Sequence, residues 1–251
     1  MKETHYTIKS HVFSKSLRFA LVSDLHAQKP EKVLARLRVI APDYILMPGD
    51  ILERVDGSED KKNRLAFPIF SGCAAIAPTF YALGNHEDGS THTRLTKKSR
   101  IGCGIRHFAE QNRRLIEESG VIFLEDGYVI RDGIAFGGLS SGLIYPDKKP
   151  KVDWLHDFCA KPYPHVLLCH HPEYYKPYLA SLPLELIVSG HAHGGQWRFF
   201  NRGVFAPGQG LFPKYVRGLH DNRWVISTGL KTGWIPRFFN PPELCVIDVN
   251  L

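Results

Sequence analysis

Short apolar runs, separated by polar or glycine-containing stretches, recur along the 251-residue chain. Runs of this length bounded by turn signals are typical of buried β-strands. Five runs predict strands, at 17–22, 43–48, 79–83, 165–169 and 185–189. Two further strand-like runs lie near the C-terminus, at 224–228 and 244–249.

The segments between the runs predict how the strands are connected. Residues 31–40 have apolar positions on one helical face, and Pro30, which suits the first turn of a helix, precedes them. A strand, a helix and a strand in succession predict a parallel pair with a crossover. Within 121–139, Asp-Gly pairs at 126–127 and 132–133 predict a hairpin meander.

This pattern predicts an α/β fold in which two mixed β-sheets are covered by helices. The chain shows no internal repeat and no linker, so we expect residues 1–251 to form a single domain. Residues 1–16 are expected to be an N-terminal extension or an edge strand of that domain.

Composition narrows the class of protein. Apolar residues make up 43% and charged residues 23%, which favours a folded chain over a disordered one. The formal net charge of +7 favours an anionic substrate or surface. The odd number of cysteines, five, and the absence of an apolar leader favour a cytoplasmic protein, with contact at the membrane periphery left open.

Each of the five predicted strands is followed by side chains of the types that bind metal ions in proteins. Ligands of α/β proteins collect beyond the carboxyl ends of strands, so these side chains are predicted to converge. Gly49, Gly84 and Gly190 suit the sharp turns that such an arrangement needs. The candidate ligands are Asp24 and His26, then Asp50, then Asn85, then His170, and finally His191 and His193.

Taken singly, each motif has an ordinary structural explanation. An Asp-x-His motif fits a solvated loop, Gly-Asp an ordinary turn, and Asn85 the cap of a helix. The Gly-His-Ala-His motif fits a single zinc site. Five such motifs in succession favour a shared metal centre instead.

Seven side chains exceed the needs of one tetrahedral ion and suit two ions that share a carboxylate. Asp50 lies alone between the two ligand sets and is the predicted bridge. Oxygen and imidazole ligands without a thiolate favour divalent transition metals, and we expect Mn, Fe or Zn.

In this order the motifs resemble those of the calcineurin-like metallophosphoesterase superfamily, whose pattern is D-x-H, GD, GNH(E/D), H and GHxH. They span residues 22–193 and are specific in combination. GHAHGGQ at 190–196, with FPKYVRGL, STGL and FFNPPEL further on, is similar to a bacterial branch of the superfamily. That branch contains envelope-associated phosphodiesterases and pyrophosphatases acting on UDP-diacylglucosamine-type lipid precursors.

The resemblance implies a four-layer αββα sandwich and a division of the ligands. Asp24, His26 and His193 would hold one ion; Asn85, His170 and His191 would hold the other; Asp50 would be shared. His86 would act as general acid, and Glu53, which replaces the aspartate of some relatives, would orient it. His171 is expected either behind the ligands or facing solvent.

Residues that would bind the substrate are less clearly marked. Arg54 occupies the place of a phosphate-binding arginine of related phosphatases, although a solvated arginine fits equally well. A basic loop after His86 would grip an anionic head group or remain solvated. Its cations are Arg94, Lys97, Lys98 and Arg100. The aromatic segment 198–219, with Lys214 and Arg217, would contact a lipid surface or pack in the core.

The predicted function is hydrolysis of a phosphodiester or pyrophosphate bond by a hydroxide that bridges two metal ions. The predicted substrate is an anionic phosphate-containing small molecule or a lipid-linked compound, and no obligate protein partner is expected. One alternative is a catalytically silent metal-binding scaffold of the same fold. Another is a nuclease or nucleic-acid-binding protein using the basic surface, although no groove-reading motif supports it.

Overall fold

In the computed structural model, the described residues are 1–53, 60–87, 110–142, 149–199, 202–206, 209–232 and 237–251. The helices are α1 (Glu31–Ile40), α2 (Asp60–Ala66), α3 (Pro68–Ala74), α4 (Glu110–Glu118) and α5 (Trp154–Cys159). The strands are β1 (Lys2–Lys9), β2 (Leu17–Leu21), β3 (Tyr44–Met47), β4 (Thr79–Ala82), β5 (Ile122–Leu124), β6 (Gly127–Arg131), β7 (Ile134–Leu139), β8 (His165–Cys169), β9 (Leu186–Ser189), β10 (Arg198–Phe199), β11 (Arg202–Gly203), β12 (Phe205–Ala206), β13 (Gly210–Leu211), β14 (Gly218–His220), β15 (Trp224–Ile226) and β16 (Glu243–Asn250).

The described strands form two large mixed sheets. The first has the order β1-β16-β2-β3-β4-β5, and β2 to β5 pair in parallel. Its edge strand β1 pairs in parallel with β16, which runs antiparallel to β2. The second has the order β14-β15-β9-β8-β7-β6, with parallel central strands and an antiparallel hairpin at each edge. The prediction of two mixed sheets is confirmed.

Side chains of the central strands alternate between two apolar layers, as the two-residue repeat of a strand requires. Phe19 and Leu168 face the space between the sheets, whereas Ala20 and Leu167 face the helices. Phe80 of β4 stacks on Phe136 of β7 across that space, with ring centroids 3.8 Å apart. Helices α1 and α3 cover the first sheet and α5 covers the second. The layers therefore follow the order helix, sheet, sheet, helix.

Helix α1 joins β2 to β3 as the sequence predicts. Its four apolar residues at helical spacing are all buried, and β2 pairs in parallel with β3. The helix ends at Ala41, whose φ of 47° is left-handed and stops the helical hydrogen-bond pattern. The crossover carries the chain back so that β2 and β3 end at the same edge of the sheet.

The predicted meander is only half correct. β6 and β7 form the hairpin expected at the second Asp-Gly pair. β5, however, pairs in parallel with β4 in the first sheet, so the first Asp-Gly pair connects the two sheets instead of forming a hairpin. Asp126 supports this crossing, because its Oδ1 accepts a hydrogen bond from the backbone N–H of Ser140 (3.0 Å). Pattern alone could not show which sheet β5 joins.

Two short hairpins follow β9. Strands β10 and β11 form the first, and β12 and β13 form the second. The backbone N–H of Val204 donates to the carbonyl of Gly195 (3.1 Å), which ties them to the turn after β9.

In the part of the chain that the structure describes, no helix is long and apolar enough to cross a bilayer. Cys73, Cys159, Cys169 and Cys245 are free thiols.

Candidate metal centre

The predicted ligands lie where five strands of the two sheets end. Those after β2, β3 and β4 come from the first sheet, and those after β8 and β9 come from the second. Five of the seven have a left-handed φ, which costs a non-glycine residue roughly 1–3 kcal/mol. They are Asp24 (53°), His26 (51°), Asp50 (53°), His191 (66°) and His193 (46°). This concentration of backbone strain marks the site independently of its side chains.

Two glycines allow the ligand turns to approach each other. A Cβ on Gly84 would lie 2.2 Å from Oδ1 of Asp50, and one on Gly190 would lie 2.4 Å from Oδ2 of Asp24. Real Cβ atoms essentially never lie within 3.0 Å of another atom, so a side chain at either glycine would displace the backbone or the neighbouring aspartate. The expectation that these glycines sit at close approaches is therefore confirmed.

Asp24, His26 and His193 form a first group of donor atoms. The Nε2 atoms of His26 and His193 are 3.3 Å apart. Oδ1 of Asp24 lies 3.6 Å from Nε2 of His193 and 4.0 Å from that of His26. The side chains are largely buried, and one donor atom from each lies close enough to the others for all three to bind the same metal ion. Nitrogen and carboxylate oxygen are the donors that divalent transition metals accept.

Asp50, His170 and His191 form a second group that one ion could share. Oδ2 of Asp50 lies 3.2 Å from Nε2 of His170 and 3.7 Å from Nε2 of His26. This oxygen therefore faces a member of each group. Asn85 lies in the turn after β4, beside His86, whose backbone N–H donates to Oδ1 of Asp50 (2.9 Å).

The charge states of four of these groups suit a cation, and that of His170 does not. Burial raises the pKa of Asp24 and of Asp50, but neighbouring imidazoles outweigh it and lower both, so the carboxyls are ionised. Burial lowers the pKa of His193 to about 3 and that of His191 well below its usual value, which leaves both rings neutral. For His170, burial lowers the pKa, but the charge of Asp50, whose Oδ2 lies 3.2 Å from Nε2, outweighs it and raises the pKa to about 9. A metal ion would have to displace that proton.

Glu53 links the site histidines. Its Oε2 lies 2.8 Å from Nδ1 of His86, and its Oε1 lies 3.2 Å from Nδ1 of His26. Burial raises the pKa of Glu53, but the nearby His26 ring and the hydrogen bond to His86 reverse this and hold it far below its usual value. Burial lowers the pKa of His86, but the charge of Asp50 and the bond to Glu53 raise it overall. The contact with Glu53 therefore fixes the orientation of the His86 imidazole ring.

Glu87 is a buried residue of the site whose role the sequence did not reveal. Its carboxylate accepts four backbone N–H bonds, which join the turn after β3 to the turn after β4. The donors are Asp50 (2.9 Å), Ile51 (2.6 Å), Leu52 (2.9 Å) and Gly84 (2.9 Å). Burial and the Asp50 charge raise the pKa of Glu87 to about 7, against the effect of these bonds. The only sequence signal is its place in the GNHE motif.

Two cations near the C-terminus were also missed. Nη2 of Arg237 lies 2.9 Å from Nδ1 of His193, and its Nη1 donates to the carbonyl of Thr228 (2.7 Å). Lys231 lies 3.2 Å from Oε1 of Glu53. No metal-binding motif contains either residue, because both reach the site from a segment distant in the chain. Together they add positive charge at its border.

His171 lies behind the ligands. It is 3% exposed, so of the two expected positions the one behind the ligands is observed and the one facing solvent is not. Its ring lies 4.3 Å from that of His191, and its Nδ1 lies 3.0 Å from Oε1 of Glu173. The short helical turn that begins at Pro172 after β8 directs the chain so that this side chain stays inside.

Burial raises the pKa of the neighbouring Cys169 thiol, as expected of a small buried apolar residue.

The predicted substrate-binding residues Arg54, Arg94, Lys97, Lys98 and Arg100 lie outside the described residues. For the segment 198–219, the structure decides against core packing at three positions. Phe205, Leu211 and Phe212 are exposed by 43%, 70% and 73%. Of the two fates expected for the aromatics of this segment, core packing is therefore wrong for Phe205 and Phe212.

Comparison with known proteins gives the family. The model of the calcineurin-like phosphoesterase family matches residues 17–195. A Campylobacter jejuni protein called an uncharacterized metallophosphoesterase is 27% identical over 250 residues, covering 94% of this chain and 60% of the relative. UDP-2,3-diacylglucosamine pyrophosphatase LpxG of Chlamydia muridarum is 27% identical over 282 residues, covering 92% of this chain and 83% of the relative. The chain thus spans less than two thirds of the Campylobacter protein.

A solved metallophosphoesterase from Sphaerobacter thermophilus aligns at 15% identity and a TM-score of 0.31, covering 71% of this chain and 61% of the other. At that score the alignment adds nothing to the fold described above. The family model, by contrast, spans every motif up to the last pair of histidines. The resemblance is confirmed: this chain belongs to the calcineurin-like phosphoesterase family.

Proposed function

We propose that this protein is a dinuclear metal-dependent enzyme that hydrolyses a phosphodiester or pyrophosphate bond. The observation that carries the proposal is the position of Asp50. Its Oδ2 lies within 3.7 Å of a histidine nitrogen of each donor group, as a carboxylate shared by two ions must. Two ions that share a ligand are a recurrent means of displacing an oxygen at phosphorus.

The donor set fits such a pair. Asp24, His26 and His193 would hold the first ion. Asn85, His170 and His191 would hold the second, with Asp50 common to both. The mixture of imidazole, carboxylate and amide donors favours Mn, Fe or Zn. When bound, the ions would activate the attacking water and neutralise charge on the phosphoryl group.

The remaining residues would handle the leaving group and the charge around it. His86 presents Nε2 toward Asp50, at 3.8 Å from its Oδ2, while its Nδ1 is held by Glu53. This orientation and the raised pKa favour a proton on Nε2, which His86 would donate to the departing oxygen. Lys231 and Arg237 would attract the anionic substrate, together with Arg54 and the basic loop if those residues reach the site.

The first test is elemental analysis of the purified protein, combined with hydrolysis of bis(p-nitrophenyl) phosphate. We expect about two transition-metal ions per chain and turnover that chelation removes and added metal restores. A chain that binds metal but cleaves neither diesters nor nucleotide diphosphates would instead fit the silent scaffold. Steeply salt-dependent retention on DNA would favour the nucleic-acid alternative.

We also propose that the substrate is presented at a lipid surface. The β12–β13 hairpin exposes Phe205 and Leu211 as cross-strand partners, with Phe212 beside them. Val204, which directly precedes β12, donates its N–H to the carbonyl of Gly195 in the turn that carries His193. Lys214 follows two residues after Phe212. Exposed apolar side chains beside a cation are typical of membrane-surface contact. The relative LpxG, by name a pyrophosphatase of a diacylated sugar nucleotide, agrees with this proposal.

Flotation with anionic phosphatidylglycerol vesicles tests the contact. We expect the protein to float with the vesicles, and the double variant Leu211→Ser/Phe212→Ser to float roughly ten-fold less, because two apolar side chains no longer leave water. The matched control is Val39→Ser, which changes an equally exposed apolar residue on α1. Equal flotation of all three proteins would contradict the proposal.

A further inference from the structure

Glu173 lies between two buried histidines at the edge of the second donor group. Its Oε1 is 3.0 Å from Nδ1 of His171 and 3.7 Å from Nε2 of His191. Its Oε2 is buried and makes no hydrogen bond with any residue that the structure describes. Nothing in the predicted hydrolysis uses this carboxylate, although it approaches a candidate ligand.

The backbone around His191 is already fixed. Its N–H donates to Oδ1 of Asp24 (3.0 Å), and its φ of 66° is left-handed. Gly190 before it cannot accept a side chain, since a Cβ would lie 2.0 Å from Oγ of Ser23. With the backbone fixed, only the orientation of the His191 imidazole ring is left for a neighbouring side chain to determine.

The two nitrogens of an imidazole point in diverging directions, so a contact at one nitrogen decides what the other faces. Nε2 of His191 faces Oε1 of Glu173 at 3.7 Å. The ring would therefore offer Nδ1 to an ion shared with Asp50 and His170, with which His191 forms one donor group. A histidine that binds a metal ion through one nitrogen commonly donates the other N–H to a carboxylate. The 3.7 Å separation is an ion-pair distance and is longer than a hydrogen bond, so the role proposed below requires the two groups to move closer when the ion binds.

Glu173 is itself held in place. It lies on the short turn Pro172–Tyr174, which starts two residues after His170. The ring of His171 packs between the rings of Tyr174 and His191, at 4.9 Å and 4.3 Å, and binds the carboxylate from the other side. The hydroxyl of Tyr174 donates to the carbonyl of Ser141. One rigid turn thus places His170 and the carboxylate that faces His191.

We propose that Glu173 is a positioning residue, which fixes the ring of His191 so that Nδ1 faces the second metal ion, with His171 as its support. The proposal rests on the dinuclear function proposed above. Removal of such a partner weakens metal binding roughly 10- to 100-fold, because the ligand must then be ordered at the moment of binding.

The test is calorimetric titration of metal-free protein with Mn²⁺ or Zn²⁺, which measures each binding step without reference to activity. For Glu173→Ala we expect one of the two steps, that of the ion held by His191, to lose roughly 10- to 100-fold in affinity, while the other step changes little. Glu173→Gln keeps an acceptor oxygen, so its loss should be smaller than that of the alanine variant. This order, Glu, Gln, Ala, is not expected of a residue that merely fills space.

The matched control is Glu185→Gln, which alters another buried histidine–carboxylate contact, that of Glu185 with Nδ1 of His165 (3.3 Å) at the opposite end of β8. It should leave both binding steps unchanged. Wild-type affinity in both Glu173 variants would overturn the proposal, as would a wild-type stoichiometry of three ions that falls to two, since Glu173 would then be a ligand. Failure of the wild type to hydrolyse any phosphoester would reject the proposed function while the binding steps still decide the role of Glu173.

Discussion

Replacement of Asp50 by asparagine is expected to lower kcat on bis(p-nitrophenyl) phosphate by roughly a thousand-fold or more. The amide keeps an oxygen for the backbone N–H of His86, which Oδ1 of Asp50 binds at 2.9 Å. It replaces Oδ2, the atom that faces His26 and His170, by a neutral NH₂ group that cannot bind a cation. The measurement is kcat with saturating metal, together with the metal content of the variant.

His86→Gln provides the contrast, because His86 is not a proposed ligand. We expect this variant to retain about two ions per chain and to lose roughly 100- to 10,000-fold in kcat, the contribution of a general acid. Asp50→Asn should lose metal as well as turnover. If Asp50→Asn kept both ions and more than a tenth of the wild-type rate, the shared-carboxylate arrangement would be wrong.

Replacement of Glu87 by alanine is expected to cost about 4 kcal/mol or more of the free energy of unfolding. Four backbone N–H groups, those of Asp50, Ile51, Leu52 and Gly84, would lose their acceptor. A buried donor left without a partner costs roughly 1–3 kcal/mol, and solvent entering the space would recover part of the total. Urea denaturation monitored by circular dichroism measures the change.

Glu87→Gln and Glu118→Ala separate this effect from loss of charge. The glutamine retains one acceptor oxygen but turns NH₂ toward two of the donors, so we expect an intermediate loss. Glu118 is exposed on α4, and its replacement should change stability by less than about 0.5 kcal/mol. A Glu87→Ala variant as stable as Glu118→Ala would show that the four hydrogen bonds contribute little.

The sequence was sufficient for the two-sheet architecture and for the prediction that the candidate ligands meet at one edge. Apolar runs located the strands, and because parallel strands end at one edge, the residues after them, such as Asp24 and Asp50, could be expected to meet. The sheet that β5 joins was not predictable, since three apolar residues pair equally well with either sheet. Pairing depends on contacts between segments distant in the chain.

The same limit explains the residues that were missed. Arg237 and Lys231 reach the site from the C-terminal segment, and no local pattern distinguishes them from solvated cations. Glu173 was overlooked because its partner His191 is 18 positions away in the chain, although both follow neighbouring strands. Long-range polar contacts of this kind appear only once the strand order is known.

The division of the donors between the two sheets has a mechanical consequence. Asp24 and His26 follow a strand of the first sheet, while His193 follows a strand of the second; Asp50 and His170 are divided in the same way. Each bound ion would therefore form a cross-link between the two sheets at the edge where the ligand-bearing strands end. Sliding of one sheet against the other would be restrained there, and the interlayer contact of Phe80 with Phe136 would be under the same restraint.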